Sequence, residues 1–193
     1  MSQNDETKSP WKTLSSKLIY DNPWIRVRED QVTRPDGLPG IYGVVHFKNL
    51  AIGVIAIDAE DYVHLVGQYR YVLNQYSWEI PEGGCPEGED PLGAAQRELA
   101  EETGLQAEEW ELLGEADLSN SVTDEHAFWF LATGLVQGEA RPDGSEVLAR
   151  RRVLLEEALE MIDRREILDA LSIIGLLHYA RLRLKHEAGN PRT

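Results

Sequence analysis

A chain of 193 residues suits one domain of ordinary size, or one domain with an extension, and 42% apolar residues suffice for a substantial core. A formal charge of -15, from 34 acidic against 19 basic residues, excludes a general electrostatic grip on nucleic acid or an anionic membrane, so an anionic ligand must be met locally or through a cation. The single cysteine, Cys85, excludes an intramolecular disulfide framework and suits a reducing, cytoplasmic setting; the polar start MSQNDETKSPWK lacks the apolar stretch of a secretory signal, and no later run is long enough to span a bilayer.

Residues 1–10 are polar and expected to be mobile. KLIYDNPWIRVREDQVTRPDG then alternates as extended strands do, with RPDGLPG as a turn. GIYGVVHF, AIGVIAIDA and YVHLVGQYRY follow as short β-branched runs, and AIGVIAID is apolar enough to be covered on both faces of a sheet. The period changes at EDPLGAAQRELAEETG: Asp90 suits a cap, Pro91 the first helical position, and Gly104 the left-handed residue that ends a helix. WELLGEADL and HAFWFLATG read as two more strands, and RRVLLEEALEMIDR and ILDALSIIGLLHYARLRLK as two closing helices. Strands followed by helices predict an α/β or α+β sandwich.

The helix after Asp90 concentrates carboxylates. On a helical wheel Leu92, Ala95 and Leu99 form the buried stripe; Glu102 lies ~60° from Leu99, Glu98 ~100° and Glu101 ~160°, all on one side. Partly desolvated, crowded carboxylates resist ionisation unless a cation joins them. Arg97 can serve one; a hard divalent cation with oxygen ligands is the simplest partner for the rest, and a solvated acidic face is the alternative.

The surrounding spacing adds to this. Gly83, five residues, Glu89, seven residues, then Arg97-Glu98-Leu99-x-Glu101-Glu102-x-Gly104-Leu105 resembles the complete Nudix box, with no fixed position departing. The resemblance implies an α/β/α sandwich with a mixed central sheet and an N-terminal β extension. It also implies Mg2+, or Mn2+, held by Glu98, Glu101 and Glu102, with Arg97 orienting the glutamates and Glu89 or the Gly83 carbonyl joining the metal shell. Gly83 and Gly84 read as a flexible entry or an ordinary turn. Cys85 has no activating group nearby, and the five histidines show no metal-ligand spacing and read as structural.

Upstream, QYRYVLNQYSWEIPEGG places an Arg at a strand end before Trp-Glu-Ile-Pro-x-Gly-Gly, which resembles the ADP-ribose and nucleoside-diphosphate-sugar pyrophosphatase branch. Similarity to that branch covers roughly residues 14–184. Arg70 is the candidate for meeting a phosphate, through paired donors, and Glu79 for contacting substrate or metal water; both alternatively form a strand-end salt bridge. The branch implies a homodimer built by residues 1–45, with residues 46–193 as the hydrolase domain. By analogy Trp24 or Tyr42 stacks on a base, or else packs in the core or dimer. Glu146, in RPDGSEVLARRRVLLEEAL, matches the place of the general base and is otherwise a solvated loop residue. One departure stands out: the proline that ADP-ribose enzymes usually carry beyond the box is absent, and polar Ser119, Asn120, Ser121, Thr123, Asp124 and Glu125 occupy DLSNSVTDEH instead.

The implied reaction is hydrolysis of the diphosphate bond of ADP-ribose or a related nucleotide sugar, giving a nucleoside monophosphate and a sugar phosphate. Pyrophosphatases of nucleoside triphosphates or dinucleoside polyphosphates, and a non-catalytic nucleotide sensor on the same fold, are the alternatives.

Overall fold

The computed structural model describes residues 8–138 and 147–189. Among these the chain forms two compact units, one up to Asn49 together with Ser119–Glu125, the other Leu50–Leu118 together with the residues from His126 onward.

In the first unit β1 (Lys12–Asp21), β2 (Ile25–Thr33) and β3 (Pro39–Phe47) form an antiparallel sheet in that order. Asn22 shapes the first turn by accepting from the amides of Trp24 and Ile25 at 2.8 and 2.7 Å. The RPDG turn forms as its sequence predicts, with Gly37 at φ 83° and Asp36 accepting from the Leu38 amide at 3.0 Å. The 119–125 segment is tied to β3: Asp124 accepts from the Phe47 amide at 2.9 Å, and the Tyr42 hydroxyl donates to the Ser121 carbonyl at 2.8 Å.

The second unit is built on β4 (Asn49–Ala56), β5 (Tyr62–Arg70), β6 (Gln75–Glu79), β7 (Glu82–Pro86), α1 (Pro91–Thr103), β8 (Leu105–Asp117), β9 (His126–Gln137), β10 (Ala149–Leu154), α2 (Leu155–Asp163) and α3 (Ala170–Gly189). A mixed four-stranded sheet runs β7-β4-β9-β8, with β4 and β9 parallel from Ala51 opposite Ala127 to Ala56 opposite Ala132. A three-stranded antiparallel sheet runs β10-β5-β6. The AIGVIAID segment is covered on both faces, as its apolar run predicts. Ile52, Val54 and Ala56 pack with Ala94, Ala95 and Leu99 of α1, whereas Ile55 and Ile57 pack with Leu155, Met161 and Leu176 of the closing helices. The result is the α/β arrangement expected, helices flanking a mixed sheet.

Two readings need correction. RRVLLEEALEMIDR is not helical throughout: Arg151–Leu154 belong to β10, and helix begins only at Leu155. The extended backbone lets Arg151 lie 4.3 Å from the centre of the Trp78 ring and Arg152 3.7 Å from that of Tyr62, where Arg152 also bonds Asp58 at 2.5 Å. Gly83 and Gly84 are neither a flexible entry nor a plain turn; they lie within β7, on the edge of the mixed sheet.

Candidate active site

Helix α1 starts and stops where its sequence says. Asp90, in extended conformation, accepts from the Gly93 amide; Pro91 opens the helix; Gly104 closes it at φ 75° with its amide bonded to the Ala100 carbonyl. Burial of Ala94, Ala95 and Leu99 against the sheet fixes the rotation of the helix, and with it the place of the carboxylates. Glu102 is only 3% exposed, and one of its carboxylate oxygens accepts from the backbone amide of Glu82 at 2.9 Å. Helix and β7 are thereby tied at the level of the glutamates.

Arg97 organises the cluster. It donates to Glu89 through Nε at 3.1 Å and Nη2 at 3.0 Å, to Glu98 at 2.7 Å, to Glu101 at 3.2 Å, and to the Gly84 carbonyl at 2.8 Å. Its bond to Glu89 raises its pKa; burial opposes this, and Glu98 adds to it. The same contact lowers the Glu89 pKa. Glu89 therefore spends both carboxylate oxygens on Arg97, and the carbonyl of Gly84 also serves that guanidinium. Gly83 has a steric role: a Cβ there would collide with the Glu98 carboxylate, so glycine lets the acid lie directly on the strand backbone.

The donor set suits a hard divalent cation. Glu98, Glu101 and Glu102 supply oxygen only, two of them largely buried, and the strand backbone at Gly83 is within reach of Glu98. Among the described residues no three His, Cys, Asp or Glu side chains stand as a ready-made cage. Arg97 holds Glu98 and Glu101 in this arrangement, doing by hydrogen bonds part of what a cation does by coordination.

A second charged group lies beside the first. At the end of β5, Arg70 bonds Glu79 through Nε at 2.9 and 3.0 Å and through Nη2 at 2.5 Å, and the same Nη2 donates to Glu82. The hairpin register, with Arg70 opposite Gln75 and Val66 opposite Glu79, sets this meeting. Ser172 of α3 anchors the following turn by accepting from the Ile80 amide at 3.0 Å, while Asp169 accepts from the Ser172 amide at 2.7 Å. Burial raises the Glu82 pKa well above the ordinary carboxylate range, Asp169 and Glu79 raise it further, and Arg70 opposes them. Arg70 and Glu79 are brought together as the sequence suggests, but the Nε edge of Arg70 already serves Glu79. Glu82 is missing from the sequence-based set. Its signal was an acidic side chain between Pro81 and Gly83, at the mouth of an acidic box; what marks it out, Arg70 twelve residues upstream, is a matter of hairpin register.

The remaining candidates divide. Trp24 is exposed in the first unit. Tyr42 bonds Ser121 and meets Trp11 edge to face at 5.3 Å between ring centres, so its ring and hydroxyl are engaged in packing. Glu146 lies outside the described residues. Cys85 is buried, its thiol donates to the Glu89 carbonyl at 3.4 Å, and burial raises its pKa, which argues for packing and not reactivity. His46, His126 and His178 are held by Asp124, Asp117 and Trp129.

Comparison with known proteins agrees with this geometry. The NUDIX domain model matches residues 47–171, and the model of the nucleoside diphosphate sugar hydrolase N-terminal domain matches residues 11–45. A methanol dehydrogenase activator of Bacillus methanolicus is 34% identical over 180 residues, 91% of this chain and 96% of its own length. An ADP-ribose pyrophosphatase of Mycobacterium tuberculosis is 34% identical over 86% of this chain and 82% of its own. A crystal structure of an ADP compounds hydrolase superposes with a TM-score of 0.81, covering 95% of this chain and 97% of that one at 19% identity, a likeness of fold. With Glu98 and Glu101 of α1 held by Arg97 beside strand β7, which carries Gly83 and Gly84, and the domain model covering most of the sequence, the chain belongs to the Nudix hydrolase family.

Proposed function

We propose that this protein hydrolyses the diphosphate bond of ADP-ribose or a related nucleoside diphosphate sugar, with Mg2+ or Mn2+, giving a nucleoside monophosphate and a sugar phosphate. The observation that carries the reading is the set Glu98, Glu101 and Glu102 on α1, with Arg97 holding Glu98 and Glu101 and the Glu82 amide of β7 holding Glu102. A divalent cation at those carboxylates would neutralise phosphate charge and lower the pKa of a bound water. The chain's own groups supply the rest. Arg97 keeps the acids in register, Arg70 offers its free Nη1 to a phosphate oxygen, and Glu146 takes the proton of the attacking water. The names of the M. tuberculosis relative and of the N-terminal domain model support a nucleotide sugar as substrate. A relative named for activating a dehydrogenase matches equally well, so turnover has to decide.

A panel of ADP-ribose, ADP-glucose, GDP-mannose, UDP-glucose, a dinucleoside polyphosphate and an oxidised nucleoside triphosphate tests this with Mg2+ present. ADP-ribose is expected to be turned over best, with a monophosphate and a sugar phosphate as products, because sites that bond substrate hydroxyls reject analogues lacking them. Pyrophosphate released from the triphosphate as the best reaction favours the triphosphatase reading, and nucleotide binding without any turnover favours a sensor.

The protein is further proposed to act in the cytoplasm as a homodimer assembled by residues 1–45, with residues 46–193 as the hydrolase domain. No helix among the described residues is long and apolar enough to cross a membrane, and the charge of -15 disfavours nucleic acid as a partner. Strand β1 supports the dimer: it is the edge of its sheet, and Leu14, Leu18, Ile19 and Tyr20 are each more than half exposed. Removing residues 1–10 is expected to leave the sedimentation coefficient and activity unchanged. Removing residues 1–45 is expected to abolish assembly and substrate binding together; an active full-length monomer at micromolar concentration would contradict the proposal.

A further inference from the structure

The guanidinium of Arg70 is used unevenly. Its Nε and Nη2 face Glu79, Nη2 also donates to Glu82, and Nη1 has no hydrogen-bond partner among the described residues. An arginine gives a phosphate two parallel bonds either from Nε with Nη2 or from Nη1 with Nη2, and both pairs need Nη2. As it stands, then, Arg70 offers a phosphate a single nitrogen.

The two acids that hold it are not equivalent. Glu79 is 1% exposed, lies within a strand, and bonds two nitrogens, so that pair is a complete ion pair by itself. Glu82 makes one bond to Arg70, and its other oxygen, Oε2, is buried, with the Asp169 carboxyl as its polar neighbour. With Asp169 also close, three carboxylates act on one guanidinium. Fixing Arg70 does not require the second acid, and keeping it there costs desolvation and repulsion. The contact that can yield is the one to Glu82.

We propose that Glu82 is a positioning residue for the diphosphate site: it latches Nη2 of Arg70 against Glu79, and a phosphate oxygen takes its place on Nη2 when substrate binds. This rests on the reading that Arg70 meets the diphosphate. The latch keeps the guanidinium oriented in the free protein and lowers the affinity for substrate, because binding must first break the Glu82 bond. Exchange of carboxylate for phosphate turns a one-nitrogen contact into a two-nitrogen one, through Nη1 and Nη2.

The test is the dissociation constant of a non-hydrolysable diphosphate, α,β-methylene-ADP, measured with Mg2+ by calorimetry on the full chain. Glu82→Ala is expected to bind it about fivefold more tightly, with KM for the panel's best substrate falling in step and kcat changed by less than about threefold. Glu82→Gln keeps an acceptor oxygen for Nη2, so a smaller gain, about twofold, is expected. In an Arg70→Ala background, which itself should weaken binding about tenfold or more, neither Glu82 substitution should change affinity, since the latch acts only through Arg70. An unchanged or weakened dissociation constant in Glu82→Ala overturns the proposal, as does an equal gain in the Arg70→Ala background, which would mean general relief of negative charge. Should Glu82→Ala not fold, the Glu82→Gln comparison with and without Arg70 decides by the same criterion. Full binding by Arg70→Ala removes instead the reading of Arg70 as a phosphate contact, a separate outcome.

Discussion

Glu102→Gln is expected to lower Mg2+-dependent turnover by about 10²-fold or more, the scale seen when a charge-stabilising group is deleted from an active site. The metal-free protein should unfold at the same temperature as the wild type or higher. Glu102 is 3% exposed and sits on α1 near two other acids, and it accepts the Glu82 amide, a bond that a glutamine carbonyl can also accept. The substitution therefore keeps the hydrogen bond and removes a crowded charge. Rates and metal-free melting measured on one preparation separate the two roles. Turnover preserved alongside lost stability would sink the assignment of Glu102 to the metal.

Arg97→Met should do the opposite to stability. Arg97 is the common partner of Glu89, Glu98, Glu101 and the Gly84 carbonyl, and its loss leaves three carboxylates facing one another. Breaking such pairs on a side chain about one-third exposed is expected to cost roughly 2 kcal/mol in the absence of divalent ions, or about 4–8 °C in melting temperature. Mg2+ should recover much of that loss, because the cation takes over the neutralisation. Activity should fall as well, since the acids lose their common anchor. A melting deficit that Mg2+ leaves untouched would show that Arg97 matters to packing alone.

The contrast between these two residues follows from how far each signal extends along the chain. Helix α1 was legible to the residue because its cap, its first proline and its closing glycine act within one turn, and because the stripe of Leu92, Ala95 and Leu99 is local. The acids of the site came with it. Strand β10 was misread because ARRRVL runs without a breaker into LEEALEMID, and both contain good helix formers; what holds Arg151 and Arg152 extended comes from far along the chain, the rings of Trp78 and Tyr62, the carboxylates of Asp58 and Glu60 and the pairing with β5. Gly83 and Gly84 looked like a turn by composition, whereas contact with Glu98 fifteen residues later explains the glycine at 83. Glu82 escaped notice for a related reason: its partners Arg70, Glu102 and Asp169 come from a strand, a helix and a loop that only the folded sheet brings near.

The parallel pairing of β4 with β9 has a kinetic consequence. Ala51 faces Ala127, so the entire acidic helix, its capping residues and the β5–β6 hairpin lie inside the crossover between two neighbouring strands at the centre of the sheet. Closing a loop of that length costs chain entropy before any contact rewards it, and such topologies fold slowly compared with chains whose contacts are local. The helix can form early from its own signals. Its apolar stripe has no complete surface to rest on until β4 and β9 align, because Ile52 and Val54 come from one strand and Phe130 and Ala132 from the other. What waits for that alignment is the burial of Glu102, which is 3% exposed, so its desolvation comes together with the core that offsets it.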